Sequence, residues 1–134
     1  CLGFRLITKS IERIADHAVN ISRNILTMKN QVKPELYSKI NEMSLFAKTL
    51  LKDTEKALFS RNYNLAEEVL KTGKKINVME ENTLRHLLKE HLNPNDLSRL
   101  RIILESVRRT AEYGMDIAEI ILNQTIVGTP PEND

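Results

Sequence analysis

Four stretches of this chain, residues 4–29, 34–60, 64–91 and 96–123, repeat apolar side chains three and four positions apart. That spacing places them on one face of an α-helix, and no stretch alternates with the period of two that a half-buried strand requires. In the first, the seam reads Ile7, Ile11, Ile14, Ala18, Ile21 and Ile25. In the fourth it reads Leu100, Ile103, Val107, Ala111, Gly114, Ala118 and Ile121, where Ala111 and Gly114 would let a neighbouring backbone come close. Pro34 suits a first helical turn, because its missing N–H has no partner to lose there. Pro94 pushes Asn93 away from the α region and leaves Asn95 or Asp96 to cap the fourth helix. Between the second and third stretches, Asn64 with Glu67 reads as a cap pair, and Asn62 would serve equally. Gly73 interrupts the third at a cost of about 1 kcal/mol relative to Ala, which implies a close helix contact or a slight bend.

Connectors of a few residues make consecutive helices antiparallel neighbours. The predicted fold is therefore all-α, an antiparallel up-down four-helix bundle over residues 1–126, followed by a polar, disordered tail at 127–134. In that topology the first and fourth helices lie side by side. Composition agrees: aromatic residues are 4%, Trp is absent and there are four Gly, which argues against a β-rich architecture, while 134 residues suffice for one core. A net charge of +2 is too mild for a nucleic-acid surface. The single Cys excludes an internal disulfide and a thiolate metal site, and it fits a reducing compartment. No run of about eighteen apolar residues and no signal-peptide core occur, so a cytoplasmic protein is expected. The chain begins with Cys1 already inside an amphipathic pattern, which reads as part of a longer protein.

Glu12, Asp16 and Asn20 stand at i, i+4 and i+8, so two carboxylates and an amide form a row on the first helix. Glu112 and Asp116 repeat the acidic spacing on the fourth. Four carboxylates without Cys form an all-oxygen set suited to hard or borderline cations such as Mg²⁺, Mn²⁺, Ca²⁺ or iron. Bundled di-iron sites use Glu-x-x-His, which is absent here, and His17 points about 100° away from Asp16 around the helix. The competing reading is local ion pairing with Lys9, Arg13 and Arg108, at a few tenths of a kcal/mol each. His86, His91 and Asn20 read as surface or capping residues, and Lys71, Lys74 and Lys75 as a solvated face. No Gly-rich phosphate loop, Ser-His-Asp set or aromatic-lined sugar site is in view, so catalysis is not expected.

The stretch Glu12-Arg13-Ile14-Ala15-Asp16-His17-Ala18-Val19-Asn20-Ile21 resembles the signature Glu-Arg-x-x-Asp-His-x-x-Asn-Ile of the PhoU family. The later Glu112-Tyr113-Gly114-Met115-Asp116 is similar in its acidic pair but lacks the Arg, His and Asn. The last three helices resemble one complete repeat of that family, and the first resembles the final helix of a preceding repeat, as in a C-terminal portion of a family member. The resemblance implies a regulator of phosphate uptake and phosphate signalling, acting by contact with a phosphate ABC transporter or a sensor kinase without turnover. It also implies iron, zinc, manganese or magnesium at Glu12, Asp16, Glu112 and Asp116. The basic segment from Lys71 to Lys75 departs from the acidic middle helix expected of a full metal cluster. The alternative is a helical scaffold or oligomerisation module of a transcriptional regulator or phosphate permease accessory protein, without a metal site. Some archaeal relatives carry an AbrB-like DNA-binding domain in front of such helices; no direct nucleic-acid contact and no membrane insertion are expected of these residues. An incomplete repeat would leave apolar seams open, so a homo-oligomer is predicted.

Overall fold

Local signals set the helix ends. The structure, a computed structural model, describes residues 2–127 and consists of α1 (Leu2–Leu26), α2 (Pro34–Ser60), α3 (Tyr63–Gly73), α4 (Lys75–Lys89) and α5 (Pro94–Val127). The tail expected beyond Val127 lies outside the described residues. No strand occurs among the described residues. Pro34 and Pro94 each occupy a first helical position. Asn93 caps α5, its side-chain oxygen accepting from the Asn95 N–H at 2.8 Å, two or three positions earlier than Asn95 or Asp96 would have done. Asn62, not Asn64, caps α3 by accepting from the Leu65 N–H at 3.1 Å. α2 ends where Arg61 turns left-handed, and α4 is followed by His91 in the same conformation.

Packing follows from the seams. α2, α3, α4 and α5 pack on one another, burying Leu36, Met43, Leu50, Val69, Ile76, Leu87 and Leu104 in a common core. α2 and α5 run one way; α3 and α4, nearly in line, run the other. α3 and α4 form one rod with a tightened turn at Lys74, so four rods make up the bundle. Gly73 explains the break: it is buried, and a Cβ there would run into Met115 Sδ and Cγ of α5 and meet Leu50 Cδ2 of α2 at 3.3 Å. Gly114 permits a similar approach on α5, where its carbonyl receives the Thr54 hydroxyl of α2 at 3.4 Å.

α1 is different. It packs along α5 in the antiparallel sense, from Gly3 beside Ile120 and Gln124 to Asn24 beside Arg99. Little of it meets the other helices, and a groove of about 390 Å³ lined by Ile21, Ala47, Leu51 and Val107 separates it from α2. Its seam also departs from the expected one. The covered positions are Ile7, Ser10, Ile14, His17, Ile21, Asn24 and Met28, two interleaved series seven residues apart, with Asn20 half-buried beside them. Ile11, Ala18 and Ile25 of the expected seam belong to a third series and are exposed. The physical reason is one-sided packing: a helix leaning on a single partner buries one narrow stripe, and the apolar row beside it stays open.

The loop after α1 is pinned to the start of α5 by Asp96, whose oxygens accept from the Lys29 N–H at 3.0 Å and the Asn30 side chain at 2.8 Å. Asp96 is only 1% exposed, yet it lies at the rim of the bundle, where the covering layer is thin. The Lys29 backbone N–H first, and the Asn30 side chain second, hold its carboxyl below the ordinary carboxylate range.

Gly73 yields a test of this packing. Helix propensity favours Ala by about 1 kcal/mol, but overpacking against Met115 costs about 1–3 kcal/mol. Gly73→Ala should therefore leave stability unchanged or lower it by up to about 2 kcal/mol. Combined with Met115→Ala, the same change should cost less than it does alone. A denaturation double-mutant cycle with no coupling would show that the two residues do not compete for that space.

Candidate functional site on the first helix

The signature-like stretch of α1 is split by the helix into an inward and an outward half. Inward, Asn20 Nδ2 donates to Ser106 Oγ of α5 at 2.9 Å, and His17 Nδ1 stands 3.2 Å from the same oxygen. A serine hydroxyl that accepts from Asn20 still has its own proton to give, so both contacts can be satisfied at the one oxygen. The His17 ring stacks on Tyr113 with centroids 5.8 Å apart. Arg13 of α1 and Arg109 of α5 lie over that tyrosine ring, at 5.6 and 5.8 Å from its centroid. Arg109 also donates to the Tyr113 hydroxyl at 3.3 Å. One turn further, the buried Asn24 donates to the Asn20 carbonyl at 2.8 Å and accepts from Arg99 of α5 at 3.2 Å. Arg13, His17 and Asn20 thus form a polar zipper with α5, and Asn20 is no mere surface residue.

Outward, Glu12 and Asp16 are exposed; Glu12 lies more than a quarter-turn from the buried stripe, and Asp16, one turn before Asn20, lines a shallow pocket with His17, Asn20 and Arg23. Glu12 is 4.0 Å from Lys9, both open to solvent. On α5, Glu112 is held by Arg108 at 2.7 Å, and the same guanidinium reaches Glu80 of α4 at 2.7 Å. Partial burial works to lower the Arg108 pKa, but the hydrogen bonds to Glu112 and Glu80 outweigh it and hold the pKa above its ordinary value. Asp116 lies one turn beyond Glu112 and is pushed above the ordinary carboxylate range, first by partial burial and then by Glu119 and Glu112, against the pull of Arg13 and Arg109.

Among the described residues, Glu12, Asp16, Glu112 and Asp116 supply no group of three ligand atoms within 4.8 Å of one another. Sequence reading missed Ser106, Tyr113, Arg109 and Asn24. A readable signal existed, because Ser10, His17 and Asn24 recur at intervals of seven within an apolar helix.

A three-helix unit with a further helix laid along its last member defines an all-α bundle module. A family profile described as the PhoU domain matches residues 40–121, more than half of the chain, and the chain belongs to the PhoU family, a phosphate-related regulatory family. The matched span covers most of α2 and continues into α5, so the polar zipper joins it to a helix lying before it. No curated protein and no solved structure matches the chain.

The split motif predicts unequal mutants. Asn20→Ala should lower stability by about 1–2 kcal/mol, since it leaves the buried Ser106 hydroxyl without its donor. Asp16→Asn should stay within about 0.5 kcal/mol of the parent. Equal losses from the two in chemical denaturation would contradict the assignment of faces. Asp116 supplies a pH test. Its folded-state pKa lies above the unfolded value, so the folded chain holds that proton more tightly; stability from this group is full below the unfolded pKa and is lost as pH rises through the folded one. Asp116→Asn should then raise stability at pH 7 by a few tenths of a kcal/mol, reduced by salt. The gain should vanish as the solution is acidified below the carboxylate range; a gain that persists there would point to another cause.

Proposed function

We propose that this chain is a PhoU-type regulator of phosphate uptake and phosphate signalling that works by protein contact, with a phosphate ABC transporter or a sensor kinase as its target. The observation that carries the reading is the PhoU match over α2 to α5, joined through the zipper to an α1 whose outer face is apolar. Phe4, Ile11, Ala18 and Ile25 recur at seven-residue intervals on that face, with Phe4 71%, Ile11 53% and Ile25 54% exposed. A heptad-spaced stripe of this kind is the seam along which a second helix packs. We assign it to a second copy of the chain: a two-fold pair sets the same stripe against itself, so one series of residues satisfies both partners. No described helix is long and apolar enough to cross a membrane. An ion at Glu12 and Asp16 is not needed for this reading.

Sedimentation velocity tests it. The parent chain should self-associate with rising concentration, and Ile11→Glu should shift it to monomer while leaving the unfolding midpoint close to the parent's, because Ile11 does not face α5. In cells, the same substitution should disturb control of phosphate uptake. A strict monomer at high concentration, or an Ile11→Glu chain that associates as well as the parent, would refute the α1 surface.

A further inference from the structure

Away from α1, the C-terminal end of α4 meets the first turn of α2. His86 lies in the last turn of α4, Glu90 four residues on caps that helix, and Glu35 is the second residue of α2. One ligand atom from each of the three falls within 4.8 Å of the other two, a unique grouping among the described His, Cys, Asp and Glu side chains. His86 Nε2 is 3.2 Å from Glu90 Oε1 and 3.9 Å from Glu35 Oε2. The other oxygen of Glu90 is engaged by Lys33 Nζ at 3.1 Å, which fixes the carboxylate and leaves Oε1 turned toward the imidazole.

The decisive detail is His86 Nε2 itself. That atom is sealed from solvent and has no hydrogen-bond partner, although two carboxylate oxygens are close. A ring N–H needs its acceptor nearly in line, whereas here the nearest oxygen lies off that direction. Coordination asks for the opposite arrangement: the nitrogen lone pair points at the ion, and the oxygens stand beside it at the other corners. With zinc-to-ligand bonds of about 2.0–2.1 Å, neighbouring tetrahedral ligands are roughly 3.3–3.4 Å apart. The spacing from His86 to Glu90 already matches, and that to Glu35 is slightly long. Glu35 is 83% exposed in its side chain, so a change of rotamer closes the difference without disturbing the core.

We propose that Glu35, His86 and Glu90 form a binding site for a divalent transition-metal cation of zinc's class, with water in the remaining position. One imidazole and two carboxylates form a borderline donor set, better matched to zinc than to magnesium or calcium, which take oxygen ligands throughout. Bound there, the ion would staple the start of α2 to the end of α4. The site shares no residue with Glu12, Asp16, Glu112 and Asp116, and it stands whether or not the α1 surface binds a second copy.

Calorimetric titration of chelator-treated protein with zinc chloride tests this, with magnesium chloride as the control. The parent should take up a zinc equivalent that magnesium does not displace, and zinc should raise its thermal midpoint. Loss of residues behind metal ligands already weakens binding about 10–100-fold, so His86→Ala should weaken that equivalent by about a hundredfold or more. Glu35→Gln, at an exposed position that cannot unfold the chain, should weaken it by at least about tenfold. Binding that survives both substitutions, or that disappears instead with Asp16→Asn, overturns the assignment. Absence of any zinc-dependent heat or stabilisation in the folded parent overturns it as well, leaving His86 as an ion-pair partner of the two glutamates.

Discussion

Every helix in this protein is held by α5. It packs against α1, α2, α3 and α4, and along its length it buries Leu100, Ile103, Leu104, Val107, Ala111, Ile117, Ala118 and Ile121. A helix surrounded in this way has to offer a different surface to each neighbour. Toward α2 it offers Gly114, so that Thr54 can reach its backbone, and toward α3 it offers Met115, which fills the space that Gly73 vacates. Toward α4 it offers Arg108, which spans Glu80 and its own Glu112. Toward α1 it offers polar Arg99, Ser106 and Tyr113. In its middle a strip carrying Ser98, Arg101, Ile102, Glu105, Arg109, Asp116 and Glu119 remains in water.

These surfaces are not equal in kind. The core of α2 to α5 is apolar and interdigitated, so its cohesion rests on buried area. The α1–α5 contact alternates Ile7, Ile14 and Ile21 with Ser10, His17 and Asn24, which gives up some of that area for directed hydrogen bonds. Polar residues at seam positions of paired helices fix register at a cost in stability. Here the register is fixed twice, by the Ser106 contacts in mid-helix and by Asp96 gripping the loop beyond α1. The arrangement favours one exact alignment of α1 over a stronger but more slippery apolar contact.

The same contrast explains what could be read from the sequence. The seam of α5 was legible because that helix is packed on several sides, and nearly every apolar residue at helical spacing finds a neighbour: Leu100, Ile103, Val107, Ala111, Ala118 and Ile121 are all buried. Gly73 and Gly114 were legible for a related reason, since an expensive residue in a helix interior implies a close approach. On α1 the apolar pattern pointed to Ile11 and Ile25, and the structure buries Ser10 and Asn24 instead, because hydrophobicity alone does not rank a serine above an isoleucine. The acidic spacing of Glu12 with Asp16 and of Glu112 with Asp116 was plain, but which way each pair faces depends on which stripe its helix buries. Glu35 with His86 was beyond reach, because residues so far apart meet only when two helix ends are brought together by the fold.

The outward half of the α1 motif gains meaning from its neighbours on the same face. Glu12, Asp16 and Val19 stand at i, i+4 and i+7 and form an exposed row of their own, about 100° or more round the helix from Phe4, Ile11, Ala18 and Ile25, with Asp16 one turn before Asn20. In paired helices, charges flanking an apolar seam set partner choice and orientation more than strength. On α1 the exposed stripe of Phe4, Ile11 and Ile25 is separate from this row, and Asp16 lines a shallow pocket with His17, Asn20 and Arg23. The motif would thereby do two jobs with one helical repeat: Arg13, His17 and Asn20 fix α1 on α5, and that fixed alignment is what presents the acidic row and, separately, the open apolar stripe at constant positions.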